Sequence, residues 1–260
     1  MTHSALGIQV WSLARRSILR TLRQPASAIP PILFPLALMA LNSGGLDAAT
    51  DIPGFPTDNF YAFALAVPFV QGALFSTVNA GTDLARDIQT GFFNRLSLTP
   101  MSGAALLAGT LAGNVVLGIV QALIYILVGL AIGVEFASGL AGIVVLLALA
   151  ALISLGFGAL GAFLAFRTGS GEAVQGLFPV LFVFLFISSM NMPRDLIEIG
   201  WFQVAATLNP VSYLLEGVRS LVIDGWDGET LALGFGAALA VTLGALLAAT
   251  LALRTRLERT

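Results

Sequence analysis

Arg86 and Asp87 stand three and four residues after Asp83, and Gly91, Phe92, Phe93, Arg95 and Leu96 follow in the same stretch, DLARDIQTGFFNRLSLTP at 83 to 100. Charges at that spacing share one face of a helical turn, and a glycine after them stops it. Two adjacent phenylalanines beside an arginine suit recognition. The rings offer area to bury against another protein, and the guanidinium offers oriented hydrogen bonds. The same rings can instead sink into lipid if the segment lies flat on a membrane surface. Thr99 and Pro100 close the segment ahead of the next helix. On either reading its chemistry is contact, not bond breaking.

Side chains for catalysis are scarce. His3 is the single histidine and lies near the N-terminus, so no histidine pair can ligate zinc and no buried Ser-His relay can form. With no cysteine there is no thiolate, no disulfide and no cysteine metal site, and a metal site is not expected. Lysine is absent, which excludes a Walker A phosphate loop. GSGE at 169 to 172 is no nucleophile elbow, and DGWDGE at 224 to 229 reads as a turn. No apolar segment holds the acid and base pair of a proton-coupled carrier. The net charge is only -2, and no nucleic-acid partner is expected.

The elements that must position the 83 to 100 stretch are membrane helices. Of 260 residues, 57% are hydrophobic and 10% charged, against about 25% charged for a soluble domain. Runs of about 20 apolar residues suffice to cross a bilayer. The sequence divides into six of them: 29 to 46, 59 to 81, 103 to 133, 139 to 166, 173 to 190 and 230 to 253. The expected fold is an all-α integral membrane protein, a single domain over 1 to 260. The N-terminus lacks the order of a cleavable signal, and the mature chain is expected to begin at Met1.

Pro30, Pro31 and Pro35 suit the start of the first span, and Pro68 and Pro179 should kink the second and fifth. With the N-terminus cytoplasmic, Arg15, Arg16, Arg20, Arg23, Arg86, Arg95, Arg167, Arg254, Arg256 and Arg259 fall inside, and only Arg194 and Arg219 outside. That asymmetry sets the orientation, and an even number of spans returns the C-terminus to the same side.

Residues 1 to 28 hold an amphipathic interfacial helix. Ile8, Trp11, Ile18, Leu19 and Leu22 share one face, and Arg16, Arg20 and Arg23 another, from which they would reach lipid phosphates. A soluble cytoplasmic helix is the alternative. Residues 191 to 228 are too polar for a crossing and too apolar for a free loop, and are expected to dip back into the membrane from outside or to form an external amphipathic helix. Glu216 and Arg219 stand at i and i+3 there and can neutralise each other.

Within the spans, Gln71, Asn79, Asn114 and Gln121 are polar, and Asn114 and Gln121 share a face. They fit interhelical hydrogen bonding, or a transport path. Phe178, Phe182, Phe184 and Phe186 can form a wall for an aromatic or lipid-like solute, or face lipid, or fill a helix contact. GTLAG at 109 to 113 and GLAIG at 129 to 133 have the small-xxx-small form, although 28 glycines produce such matches by chance.

Taken together, these motifs resemble the ABC-2 type permeases, the membrane subunits of ABC exporters, and most closely the drug-resistance subunits of the daunorubicin-exporter kind. The likeness rests on DIQTGFFNRLSLTPMS, which is similar to the family's cytoplasmic D-x-x-x-G-x-x-x-R-L-x-x-x-P-x-S signature. It rests also on MPRDLIEIGWFQVAATLNPVSYLLEGVRSLV after the fifth span and on the arginine-bearing N-terminal helix. The resemblance implies that Asp87, Gly91, Phe92, Phe93, Arg95 and Leu96, within the loop at 82 to 101, form or flank a coupling helix that docks into a separate ATPase. It implies that Pro193, Asn209, Pro210, Glu216 and Arg219 belong to external re-entrant helices between spans five and six.

It further implies two permeases, identical or paralogous, working with two ATPase subunits. Transport would run outward through the permease interface, in the inner membrane of a prokaryotic cell with both termini cytoplasmic. The chain itself would bind no cofactor, with ATP and Mg held by the ATPase. One departure is that many relatives carry a Glu-x-Glu pair before the coupling-helix glycine, where this chain has Arg86 and Asp87. The phenylalanine-rich interior without a ring of buried charge favours a hydrophobic small molecule or lipid as cargo, along a path for which Asn114, Gln121, Phe178, Phe182 and Phe186 are candidates. A polysaccharide or glycolipid permease, a stand-alone channel or secondary carrier, and a membrane-embedded enzyme are the alternatives.

Overall fold

A proline has no N–H to give to the carbonyl four residues back, so a helix that contains one loosens just ahead of it. In the computed structural model, which describes residues 3–22, 25–91 and 103–258, the second crossing breaks at Leu65 and the fifth at Gly176, each three residues before a proline, Pro68 and Pro179. The chain runs as α1 (His3–Leu22), α2 (Pro25–Leu46), α3 (Phe60–Ala64) and α4 (Ala66–Gln89), then α5 (Gly103–Ala131) and α6 (Gly139–Thr168). It continues through the short α7 (Gly171–Gln175), α8 (Leu177–Phe186), α9 (Gly200–Leu208) and α10 (Pro210–Arg219) to α11 (Gly228–Leu257). Short 3-10 and π turns join them, and there is no strand among the described residues.

Among the described residues, five stretches are long and apolar enough to cross a membrane: Ile29–Asp51, Phe60–Gln89, Ala105–Ala131, Gly139–Thr168 and Gly228–Leu257. The crossing expected at 173 to 190 is a shorter apolar pair, α7 and α8, over Gly171–Phe186. The second crossing, α3 with α4, is the hub, with 83% of its most apolar stretch buried against 22% for that of α11. The outer face of α11 carries Leu239, Leu243, Leu247 and Leu251 every four residues, all exposed. An unbroken leucine stripe on a surface is what lipid tails accept and water does not.

The helix of the first crossing, α2, corrects one expectation. Pro30, Pro31 and Pro35 do not stand at its start but inside it, because α2 already begins at Pro25. The carbonyl that Pro35 leaves without a donor belongs to Pro31, and the hydroxyl of Tyr125, buried in α5, donates to it at 2.8 Å. A neighbouring helix thus satisfies the freed group, as a chain inside a bilayer requires.

Close crossings depend on glycine. Gly161 of α6 meets α4 so tightly that a Cβ there would overlap the Thr77 carbonyl, and Gly81 lies against Gly161 in turn. α1 and the last turns of α11 lie at one end of the bundle, where Leu13 rests on Gly109 and Leu253 on Gly103, so both termini share that end. At the other, distal, end the α5–α6 connection is tied to the turn after α10, with Ala137 N–H donating to the Val222 carbonyl at 3.0 Å and the Ser138 hydroxyl to that of Leu221 at 2.6 Å.

Candidate functional site

At the terminal end, the last turns of α4 present Asp83 and Asp87 toward α1. Arg16 donates from one nitrogen to both oxygens of Asp87, at 2.8 and 3.0 Å. α1 can come this close because Gly109 and Gly113 of α5 leave room: a Cβ on either would collide with Leu13 or Ser17. The GTLAG motif is therefore the seat of the N-terminal helix. Ile8 and Trp11 remain exposed on α1, as a lipid-facing stripe demands, but Arg16 turns to a carboxylate of the same chain where lipid phosphate was expected. An in-chain carboxylate holds it because α1 is packed onto α5 and not merely floating on the surface.

α4 ends as its sequence directs. Thr90 caps it, with its hydroxyl donating to the Arg86 carbonyl at 2.9 Å, and Gly91 follows at φ +69°, the left-handed conformation that glycine adopts without strain. Gln89 donates to the Gly169 carbonyl at 3.1 Å and Arg256 to that of Phe166 at 3.0 Å, joining the ends of α4, α6 and α11. Phe92, Phe93, Arg95 and Leu96 lie outside the described residues.

At the distal end, Asn209 caps α10 by accepting from Val211 N–H at 3.0 Å, and Pro210 takes the first helical position, where its missing N–H costs nothing. The Asn209 amide also donates to the carbonyls of Phe184 and Ile187, both at 2.5 Å, where α8 ends. Pro193 precedes the turn at Arg194–Leu196. The expected pairing of Glu216 with Arg219 is not formed. Glu216 instead accepts both bonds of a fork from Arg194, at 2.8 and 2.6 Å, and Arg194 lies over the Tyr213 ring. A two-pronged bond to a planar guanidinium outcompetes a single contact along one helix.

Arg219 is buried and points away, donating to the carbonyls of Phe63 at 3.0 Å, Ser189 at 2.5 Å and Met190 at 2.6 Å, with its guanidinium 3.4 Å from the centre of the Phe63 ring. Burial, partly offset by the charge of Glu216, lowers its pKa to about 9. Between these groups lies a cavity of about 250 Å³ lined by Pro56, Phe63, Arg194, Glu216, Arg219 and Asp224. Burial, then the neighbouring Asp227, raises the Asp224 carboxyl above its ordinary range.

The five candidate path residues separate into two places. Asn114 is buried and donates to the Ser154 carbonyl of α6 at 2.9 Å, and Gln121 is buried where α5 meets Gly72 of α4. Phe178, Phe182 and Phe186 recur every four residues along one flank of α8, with ring centroids 4.6 and 6.2 Å apart. Phe75 of α4 and Phe34 of α2 extend the wall, Phe75 to Phe178 at 4.9 Å and Phe34 to Phe182 at 6.2 Å. Sequence periodicity found the three on α8 and missed these two, whose helices the pattern could not place side by side. Phe34 and Phe186 are each about half exposed, 47% and 50%, so the wall is open to whatever lies beside the bundle.

An apolar helical bundle of these lengths, tied across α1 and α4 at one end and capped by short helices at the other, defines a multi-pass membrane protein. The ABC-2 type transporter family model matches residues 8–223, and the chain belongs to that family as a transmembrane permease subunit of an ABC transporter. It is 30% identical over 207 residues to the daunorubicin resistance ABC transporter permease protein DrrB1 of Streptomyces coeruleorubidus, covering 76% of this chain and 69% of the relative. It is 27% identical over 214 residues to ycf38 of Porphyra purpurea, a protein named as a transport permease, covering 81% of this chain and 72% of that one.

Proposed function

We propose that the chain is the membrane half of an ATP-driven exporter for a hydrophobic or amphiphilic solute, a drug or a lipid, with ATP and Mg bound by a separate ATPase. The observation that carries this reading is a match to the ABC-2 type transporter family over 8–223 in a sequence with no lysine to build a Walker A loop, so an ABC transporter of this kind would bind its ATP outside these residues. Two permeases and two ATPases form the working unit, with the terminal end cytoplasmic and the distal end outside. ATP binding closes the ATPase pair and moves the loops at 83 to 100, which tilt the spans behind them and open a cavity between the permeases outward. Such coupling needs contacts that differ between the two states, and the loop, through Phe92 and Phe93, supplies them.

The aromatic wall of Phe34, Phe75, Phe178, Phe182 and Phe186 supports a greasy cargo, because its rings are grouped and half open yet carry no charge. The daunorubicin resistance named for one relative gives the first cargo to try. The test is reconstitution into liposomes. The permease with its ATPase should move daunorubicin or a fluorescent phospholipid only when ATP is hydrolysed. Equal movement by the purified permease alone would make it a carrier or channel instead.

A further inference from the structure

α7 and α8 together hold the residues Gly171–Phe186, a run too short to cross a hydrocarbon core about 30 Å thick at about 1.5 Å per residue. The fifth crossing therefore stops early, and the carbonyls at its end have no partner within the helix. Backbone groups at such depth persist only where protein satisfies them. One face of α10 does so. Asn209, Ser212, Glu216 and Arg219 recur at intervals of three, four and three, which places them in a single stripe. Asn209, Ser212 and Arg219 are buried, so this polar stripe faces inward.

Glu216 holds the Arg194 side chain, and the other three reach backbone groups of two other crossings. Asn209 holds the carbonyls of Phe184 and Ile187, Ser212 accepts from Ser189 N–H at 3.1 Å, and Arg219 takes the carbonyls of Ser189 and Met190. The third bond of Arg219 runs to Phe63 at the start of the second crossing. A planar guanidinium spreads its fixed donors over three nitrogens and so reaches carbonyls that lie apart, whereas the three donors of lysine sit on one nitrogen.

We infer that Arg219 is the positioning residue that locks α10 and the distal ends of the second and fifth crossings into one rigid jaw, so that outward opening takes place between two copies of the chain and not inside one. This rests on the export reading above. The jaw moves as a block, and the cavity beside Arg194 and Glu216 keeps its shape while the copies part.

The chain contains no cysteine, so a disulfide can be placed without background. Ser189 and Ser212 touch through backbone and side chain, at 3.1 and 3.4 Å, and are the pair to link as Ser189→Cys with Ser212→Cys. In the complex with its ATPase, the oxidised variant should transport as well as the reduced one. Loss of transport on oxidation, restored by reductant, would overturn the inference, because it would mean that the jaw must open internally.

Arg219→Lys and Arg219→Ala should each lower transport at least about fivefold while the ATPase still co-purifies. The disulfide should restore much of the loss, and no restoration would count against a positioning role. Hydrogen exchange on the purified permease gives an arm independent of transport: the amides of 187 to 190 should exchange faster in Arg219→Lys and slow again when cross-linked. Unchanged exchange would sink the jaw. A wild-type complex that fails to transport would remove the export reading alone and leave this arm to decide.

Discussion

Arg16 reaches across 71 residues of sequence to bind both oxygens of Asp87, four residues ahead of Gly91. The bond joins the N-terminal helix to the last turns of α4, which make up the first part of the 83 to 100 stretch. Its side chains are 41% and 20% exposed, so as a stabilising contact it is worth about 0 to 1 kcal/mol. Its value on the proposed cycle is that α1 and α4 move together. Asp87→Asn should leave the thermal midpoint nearly unchanged while lowering transport per ATP hydrolysed. The exchanged pair, Arg16→Asp with Asp87→Arg, should recover coupling. A coupling ratio unchanged in Asp87→Asn, or not recovered by the exchanged pair, would make it an incidental surface contact.

Tyr125 answers a defect that Pro35 creates. Tyr125→Phe leaves the Pro31 carbonyl without a donor inside the bundle and should cost about 1 to 3 kcal/mol, read as the midpoint of thermal unfolding in detergent. Pro35→Ala added to that variant restores the main-chain donor and should return part of the loss. If the second change deepens the loss, the proline is serving another purpose.

Glycine contacts differ by what stands opposite. A methyl group at Gly161 meets the Thr77 backbone, whereas one at Gly129 meets the far end of the Leu65 side chain, which can turn aside. Gly161→Ala should therefore destabilise by the upper part of the about 1 to 3 kcal/mol typical of overpacking, and Gly129→Ala by less. Equal midpoints for the two variants would contradict the packing described for α4 and α6.

The two groups of path residues should separate by experiment. Phe182 stands at the centre of the aromatic wall; on the proposed export reading it contacts cargo, and Phe182→Ala should raise the cargo concentration needed for half-maximal transport with little change in stability. Asn114, spent on the Ser154 carbonyl, should behave oppositely, with Asn114→Ala lowering the unfolding midpoint and leaving cargo concentration dependence alone. A cargo effect confined to Asn114→Ala would move the path into the interior between α5 and α6.

Much of this architecture is legible in the residues because bilayer thickness and missing proline donors are local constraints. Both follow from counting along the chain, which is why the breaks ahead of Pro68 and Pro179 were foreseeable. Partners across helices are not local. Glu216 has Arg219 three residues away and yet binds Arg194, because the fork geometry depends on how the turn at Arg194–Leu196 folds back. Arg219 was equally opaque, since its partners are carbonyls, which every residue carries and no pattern marks. GTLAG looked like chance among 28 glycines until α1 was seen seated on it. Phe34 and Phe75 join the wall on α8 through packing between helices, a relation periodicity along one helix does not encode.

The central claim is that a separate ATPase drives this permease through the loop that follows Gly91. The most direct test is to purify the tagged permease with its ATPase and compare the wild type with the double variant Phe92→Ala, Phe93→Ala, measuring retained ATPase and ATP-dependent transport. The account predicts that the wild type holds the ATPase and transports, and that the variant releases it or hydrolyses ATP without moving cargo. Full assembly and undiminished transport by the variant would contradict it.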